Sequence, residues 1–125
     1  MYAEVMTSRL DLYNSAYDKF AARVQERVRA ETYGEDVGQS SWMTADELRH
    51  FVRRLRLKAT SHVLEIGSGS GGPALWLAKS VGCRVTGLDV NKFGIRNSNQ
   101  LAREQKLQNL ARFQLADASR TLPFP

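Results

Sequence analysis

The run Val63-Leu64-Glu65-Ile66-Gly67-Ser68-Gly69-Ser70-Gly71-Gly72-Pro73 lays out a strand, a turn and a helix start within eleven residues. Three apolar residues and one glutamate lead into the first glycine, as a buried parallel strand does before its turn. Glycines at 67, 69, 71 and 72 let the backbone bend sharply and let a ligand approach it with no Cβ in the way. Gly72 and Pro73 then open a helix, since proline at the first helical position gives up no hydrogen bond. The free N–H groups of that helix point back at the glycines. This succession predicts a ligand cradle, which a glycine pattern outside a strand–turn–helix context does not.

The order of elements on either side agrees with that start. Ala74, Leu75, Leu77, Ala78 and Val81 supply the core face of the helix, and Gly82 suits its left-handed stop. Arg84 to Asp89 reads as a second strand. Asn91 caps a further helix through Ile95, Leu101 and Ala102 to about Leu107, and Ala111 to Leu115 is a third strand, followed by Ala116-Asp117-Ala118. Upstream, Thr44 and Glu47 have the spacing of a capping box, with Met43 and Leu48 at the staple positions. Leu48, Phe51, Val52 and Leu55 give that helix a buried face fading near Leu57, and Tyr33 to Trp42 is a loop. Before it, Leu10, Tyr13, Tyr17, Phe20, Val24 and Val28 recur at helical intervals as one apolar stripe.

Alternating strands and helices after two helices predict an α/β fold with a parallel sheet, strand order 3-2-1, and a ligand site at the carboxyl ends of the strands. Residues 1–61 form a helical cap region and 62–125 the sheet domain. With three strands, one sheet face lacks covering helices and strand 1 keeps an unpaired edge. Self-association through that edge or through the N-terminal helix is therefore expected.

Two spacings coexist in the turn: Gly67, Gly69 and Gly72 satisfy G-x-G-x-x-G, and Gly67, Gly69 and Gly71 satisfy G-x-G-x-G. Glu65 separates them. A carboxylate two residues before the first glycine repels a pyrophosphate, whereas a ligand carrying an ammonium and a sulfonium gains from it. Glu65 serves equally well as a structural acceptor for the turn. Asp89, at the end of the second strand, suits the two hydroxyls of a ribose, or alternatively caps the following helix.

With these residues in view, the chain resembles the class I S-adenosylmethionine-dependent methyltransferases, particularly the type 11-like small-molecule enzymes. Val63 to Gly72, Val85-Thr-Gly-Leu-Asp-Val-Asn91 and Phe113-Gln-Leu-Ala-Asp-Ala118 carry the likeness. It implies the N-terminal half of a Rossmann-like domain that binds S-adenosyl-L-methionine and serves a small-molecule methyl acceptor. By that likeness Gly67, Ser68, Gly69 and Gly71 line the methionine and ribose moieties, and Glu65 faces the methionine end. Asp89 binds the ribose hydroxyls, with Asn91 beside it, and Val90 packs on the adenine. Asp117 accepts from the adenine amino group, with Ala118 offering its N–H. In the upstream loop Tyr33, Gln39, Ser41 and Trp42 are candidates for holding the cofactor or closing the substrate pocket, or are an ordinary loop with an anchoring tryptophan. A non-catalytic cofactor-binding module and a nicotinamide-dependent oxidoreductase are the rival readings. The second is disfavoured by Glu65 and by the 62 residues preceding Val63.

Composition sets the outer bounds. The 125 residues are 42% hydrophobic and 25% charged, enough for one domain. No apolar run approaches the roughly 20 residues that cross a bilayer, and the opening Met-Tyr-Ala-Glu-Val-Met has no signal-peptide pattern. One cysteine, Cys83, reads as an inert buried thiol and fits a reducing, cytoplasmic setting. The net charge is +5, and the basic cluster Arg49, Arg53, Arg54, Arg56 and Lys58 reads as a solvated helix face rather than a nucleic-acid surface. His50 and His62 read as a helix-surface residue and a strand-entry residue. No metal, nucleic acid or membrane is expected as a partner.

Overall fold

The computed structural model describes residues 14, 17–19, 22–38, 43–122 and 124. Three parallel strands, β1 (His62–Ile66), β2 (Arg84–Asp89) and β3 (Ala111–Leu115), lie in the order β1-β2-β3, the 3-2-1 arrangement read from the alternation. The register pairs Ile66 with Leu88 and Asp89 with Leu115, so the carboxyl ends of the strands finish at one edge. Among the described residues, four helices with defined bounds accompany them: α1 (Arg23–Tyr33), α2 (Ala45–Arg54), α3 (Gly72–Val81) and α4 (Lys92–Glu104).

Local signals explain the sheet domain almost residue by residue. Pro73 stands in the first turn of α3, and Gly82 ends it in the left-handed region at φ 76°. The Asn91 side chain accepts from the N–H groups of Phe93 and Gly94 at 2.9 and 3.0 Å, the cap expected for α4. Thr44 and Glu47 form their reciprocal capping box at the start of α2. Ala74, Leu75, Leu77 and Ala78 from α3 and Ala102 from α4 close over Val85, Ala111 and Phe113 in one apolar cluster, with Leu48 of α2 and the fully buried Cys83.

Four details depart from the sequence reading. β1 is not buried on both sides: Leu64 and Ile66 are 43% and 51% exposed, because among the described residues the helices cover the opposite face. The N-terminal apolar stripe is not a buried face along α1, although Tyr17 before it is half-buried. Val24 and Val28 lie in solvent, and α1 is fastened instead by the buried Arg29, whose guanidinium meets Asp36 at 2.8 and 3.2 Å. Leu10, Tyr13 and Phe20 of that stripe lie outside the described residues. On α2, Leu48 is buried but Phe51 and Leu55 are exposed. Helix α2 stops at Arg54 and α4 at Glu104, each about a turn before expectation, where Arg56 and Lys106 take positive φ.

Candidate functional site

Backbone pairing builds the turn. The N–H groups of Gly67 and Ser68 both donate to the Leu88 carbonyl, at 2.8 and 3.0 Å, which moors the turn to the end of β2. Gly71 N–H donates to the Ser68 carbonyl at 2.9 Å and closes the bend. Glycine is required at position 71 for two reasons: φ is 84°, and a Cβ there would stand 2.7 Å from Cβ of Ser98 and 2.8 Å from the Phe113 ring. A Cβ on Gly72 would run into the backbone of Val37 and Gly38, so the loop after α1 passes directly against the start of α3.

Asp89 is the node of the site. One carboxylate oxygen accepts from Gly69 N–H at 2.8 Å and the other from Asn91 N–H at 2.7 Å. Its carbonyl accepts from Ala116 N–H at 2.9 Å. One residue thus joins the turn, the entry to α4 and the loop after β3. The choice between ribose acceptor and helix cap is narrowed, because Asn91 is the cap. Each Asp89 oxygen has one N–H donor and keeps acceptor capacity for a further hydroxyl.

Glu65 differs. Its Oε2 is buried with no hydrogen-bond partner among the described residues. Burial pushes its pKa up to about 7, and the neighbouring Asp89 charge pushes the same way. The alternative role, an acceptor that braces the turn, is not what Oε2 does. Ser68 Oγ is likewise buried without a partner among the described residues. Two buried polar atoms, one at the end of β1 and one in the turn that follows it, are therefore left for something to meet, an arrangement that costs stability unless a ligand supplies the partner.

The remaining sequence candidates fall around this node unevenly. Val90 is 56% exposed immediately after Asp89, an apolar side chain open at the strand ends. The Asn91 carboxamide serves the fold on both sides, capping α4 and donating to Asn14 Oδ1 at 2.7 Å, directly after Val90 at the strand ends. Asp117 and Ala118 are exposed on the loop that Ala116 ties to Asp89. The Asp117 carboxyl accepts from the Ser119 hydroxyl and N–H and faces Arg120, and these contacts hold its pKa below the usual value. Tyr33 is the half-buried last residue of α1. Gln39, Ser41 and Trp42 lie outside the described residues. His50 is exposed on α2, and His62 at the start of β1 pairs with the Thr86 hydroxyl at 2.9 Å. Within the basic cluster, Arg49 is engaged by Glu35 and Asp46, and Arg53, Arg54, Arg56 and Lys58 are exposed.

Sequence reasoning missed Tyr17, whose hydroxyl stands over Gly69, and Asn97, which donates to the Tyr17 carbonyl at 2.7 Å and to Ser70 Oγ at 3.3 Å. By its spacing Tyr17 belongs to the N-terminal apolar stripe, and no local spacing signals a contact across 80 residues. A cavity of about 640 Å³ lies elsewhere, between α1, α3 and α4, lined by Arg29, Trp76 and Lys79 among others and reaching neither Glu65 nor Asp89.

Residues 63–125 match the family described as a methyltransferase domain. Methyltransferase GfsG of Streptomyces halstedii is 37% identical over 65 residues, covering 52% of this chain and 23% of that protein. A sterol 24-C-methyltransferase of Gibberella zeae is 29% identical over 93 residues, covering 74% of this chain and 23% of that protein. Among solved structures, an S-adenosylmethionine-dependent methyltransferase from Thiobacillus denitrificans in complex with S-adenosyl-L-homocysteine superposes with a TM-score of 0.59 at 26% identity, over 74% of this chain and 37% of that one. The chain spans about a quarter of the length of these two curated relatives. A parallel three-strand sheet with its glycine turn moored to an acidic strand end, and a family match over half the sequence, together establish that the chain belongs to the class I S-adenosylmethionine-dependent methyltransferases.

Proposed function

We propose that this chain supplies the cofactor-binding half of a methyltransferase that uses S-adenosyl-L-methionine and acts on a small molecule, with residues 62–125 holding the cofactor and 1–61 forming a helical cap. The observation that carries this reading is the unpartnered Glu65 Oε2 beside Asp89, under a turn of glycines. Two carboxyl groups at one ligand mouth suit a cation and a sugar and oppose a diphosphate. The group fits: Glu65 faces the cationic methionine end, Asp89 accepts from the ribose hydroxyls, Gly67 and Gly69 admit the ligand to the backbone, and Val90 offers apolar cover to the base. Asp117 and Ala118, brought near by the Ala116–Asp89 bond, contribute the polar edge for adenine. When bound, S-adenosylmethionine supplies an activated methyl group.

What the chain itself contributes is position and charge. Transfer to a nucleophile gains chiefly from orientation and water exclusion, so a turn fixed by Leu88 and Asp89 is the relevant equipment. The name of the Gibberella zeae relative gives a sterol as its substrate, which supports a small acceptor here. The pairing of Arg49 with Glu35 and Asp46 supports a solvated surface over a nucleic-acid one. No helix among the described residues is long and apolar enough to cross a membrane, and the single buried Cys83 supports a reducing, cytoplasmic setting. The open face at Leu64 and Ile66 supports self-association of this chain.

Calorimetric titration with S-adenosylhomocysteine and then with NAD tests the cofactor. Saturable binding of the first and none of the second is expected, and the reverse removes the reading. Methyl transfer by the full-length gene product, against a panel of amines and phenols, separates an enzyme from a binding module.

A further inference from the structure

Gly69 carries Tyr17 on its surface. A Cβ at Gly69 would stand 2.8 Å from the Tyr17 hydroxyl and 3.4 Å from Cε1 and Cζ of its ring. The same glycine gives its N–H to Asp89 at 2.8 Å. A nucleoside held at Asp89 therefore lies along backbone that the phenol already overhangs. This is a second reason for glycine at position 69, beside its φ of 53°.

The overhang is anchored from the opposite element. Asn14, Tyr17 and Asp18 are helical, and their i, i+3, i+4 spacing sets them on one side of the turn. Helix α4 and its cap meet all three. Asn91 donates to Asn14 Oδ1 at 2.7 Å, Asn97 donates to the Tyr17 carbonyl at 2.7 Å, and Arg96 faces Asp18 at 3.6 Å. The exposed Arg96–Asp18 pair adds little. The two asparagine contacts are of another kind. Asn91 is buried and already fixed as the cap of α4, and Asn97 also reaches Ser70 Oγ at 3.3 Å, so one carboxamide joins the Tyr17 backbone to the glycine turn.

Resting on the cofactor reading above, we propose that Tyr17 is a cofactor-contacting residue: its ring roofs the turn at Gly69, its hydroxyl hydrogen-bonds the bound nucleoside, and Asn97 is the positioning residue that holds it there. The N-terminal region then takes part in the site directly, and the roof excludes water from the methionine end of the ligand.

Titration calorimetry of the 125-residue chain with S-adenosylhomocysteine, alongside ligand-free melting curves, tests this. Tyr17→Phe keeps the ring and loses one hydrogen bond, so its Kd is expected to rise about fivefold. Tyr17→Ala loses cover and hydrogen bond together, for a rise of about thirtyfold. Asn97→Ala, which leaves the phenol intact, is expected to raise Kd about threefold with the ligand-free melting temperature of Tyr17→Phe and Asn97→Ala near that of the wild type. Should Tyr17→Ala not fold, Tyr17→Phe and Asn97→Ala decide. Wild-type affinity in both would overturn the proposal, and so would tighter binding, which would mean that Tyr17 obstructs the ligand. Failure of the unsubstituted chain to bind would instead remove the cofactor reading and the roof with it.

Discussion

Glu65 and Asp89 are two carboxyl groups at one turn, and their surroundings set them apart. Asp89 receives an N–H on each oxygen, while Glu65 Oε2 has no donor among the described residues and burial pushes the Glu65 carboxyl up to about 7. The sign of the consequence follows from linkage. A carboxyl whose folded pKa lies above its unfolded value binds protons more tightly in the folded state, so its contribution to stability is present below the unfolded pKa of about 4.5 and is lost as pH rises through about 7. The ligand-free protein is therefore expected to lose melting temperature between pH 5 and pH 8 relative to Glu65→Gln, in which that slope is absent. The ammonium at the amino-acid end of the ligand favours ionised Glu65, so wild-type affinity for S-adenosylhomocysteine should rise over the same interval. Titration in buffers of different ionisation enthalpy should show proton release near pH 7. Loss of that release in Glu65→Gln checks the assignment. Gly71→Ala combines a strained φ with contacts on Ser98 and Phe113, and is expected to cost about 2–4 kcal/mol in denaturant unfolding.

At the scale of the element, cap signals held although α2 and α4 stop a turn early, and the expected apolar face is buried in α3, only partly so in α2 and exposed along α1. Proline and glycine at the ends of α3, the Thr44 box and the Asn91 cap all act within a few residues of themselves, so their effect is written locally. Thr44→Ala removes one side of a partly exposed box and is expected to cost about 1 kcal/mol in unfolding free energy, with cofactor affinity unchanged. Asn91→Ala removes a buried cap and the tie to Asn14 together. Its cost should be larger than that of Thr44→Ala, and unlike the latter it should weaken S-adenosylhomocysteine binding by loosening the segment that carries Tyr17. Exposed Val24, Val28, Phe51 and Leu55 show the opposite case. Periodicity marks a face as apolar, but which element comes to cover it depends on contacts distant in sequence. For α1 the fastening proved to be an arginine–aspartate pair, which the apolar count does not register.

The described residues form a sheet with helices gathered on one side. Leu64, Ile66 and Leu115 are 43%, 51% and 60% exposed, and β1 and β3 stand at the two edges of the sheet. Apolar side chains and open strand edges of this kind favour association. Sedimentation of the 125-residue chain is expected to show concentration-dependent self-association that Leu64→Lys with Ile66→Lys reduces. A folded monomer at every concentration would remove that expectation. The same arrangement sets Asp89 at the carboxyl edge of the strands, where the β-strand register also ends Ile66 and Leu115.

Strand order, the turn, its caps and the acidic partner at position 89 were all legible in the chain, because each rests on a short-range signal or on the fixed geometry of a strand–turn–helix unit. Glu65 could be named from its place before the glycines, while the role proposed for it rests on burial and on the lack of a donor at Oε2 among the described residues, which only the structure supplies. Asn91 was assigned to the ligand as well as to the cap, and only packing showed both ends of its carboxamide engaged. Tyr17 and Asn97 were beyond sequence altogether: they meet across 80 residues, and chain closure over that span leaves no periodic trace for a local pattern to carry. Local geometry made the cradle, and tertiary folding chose what overhangs it.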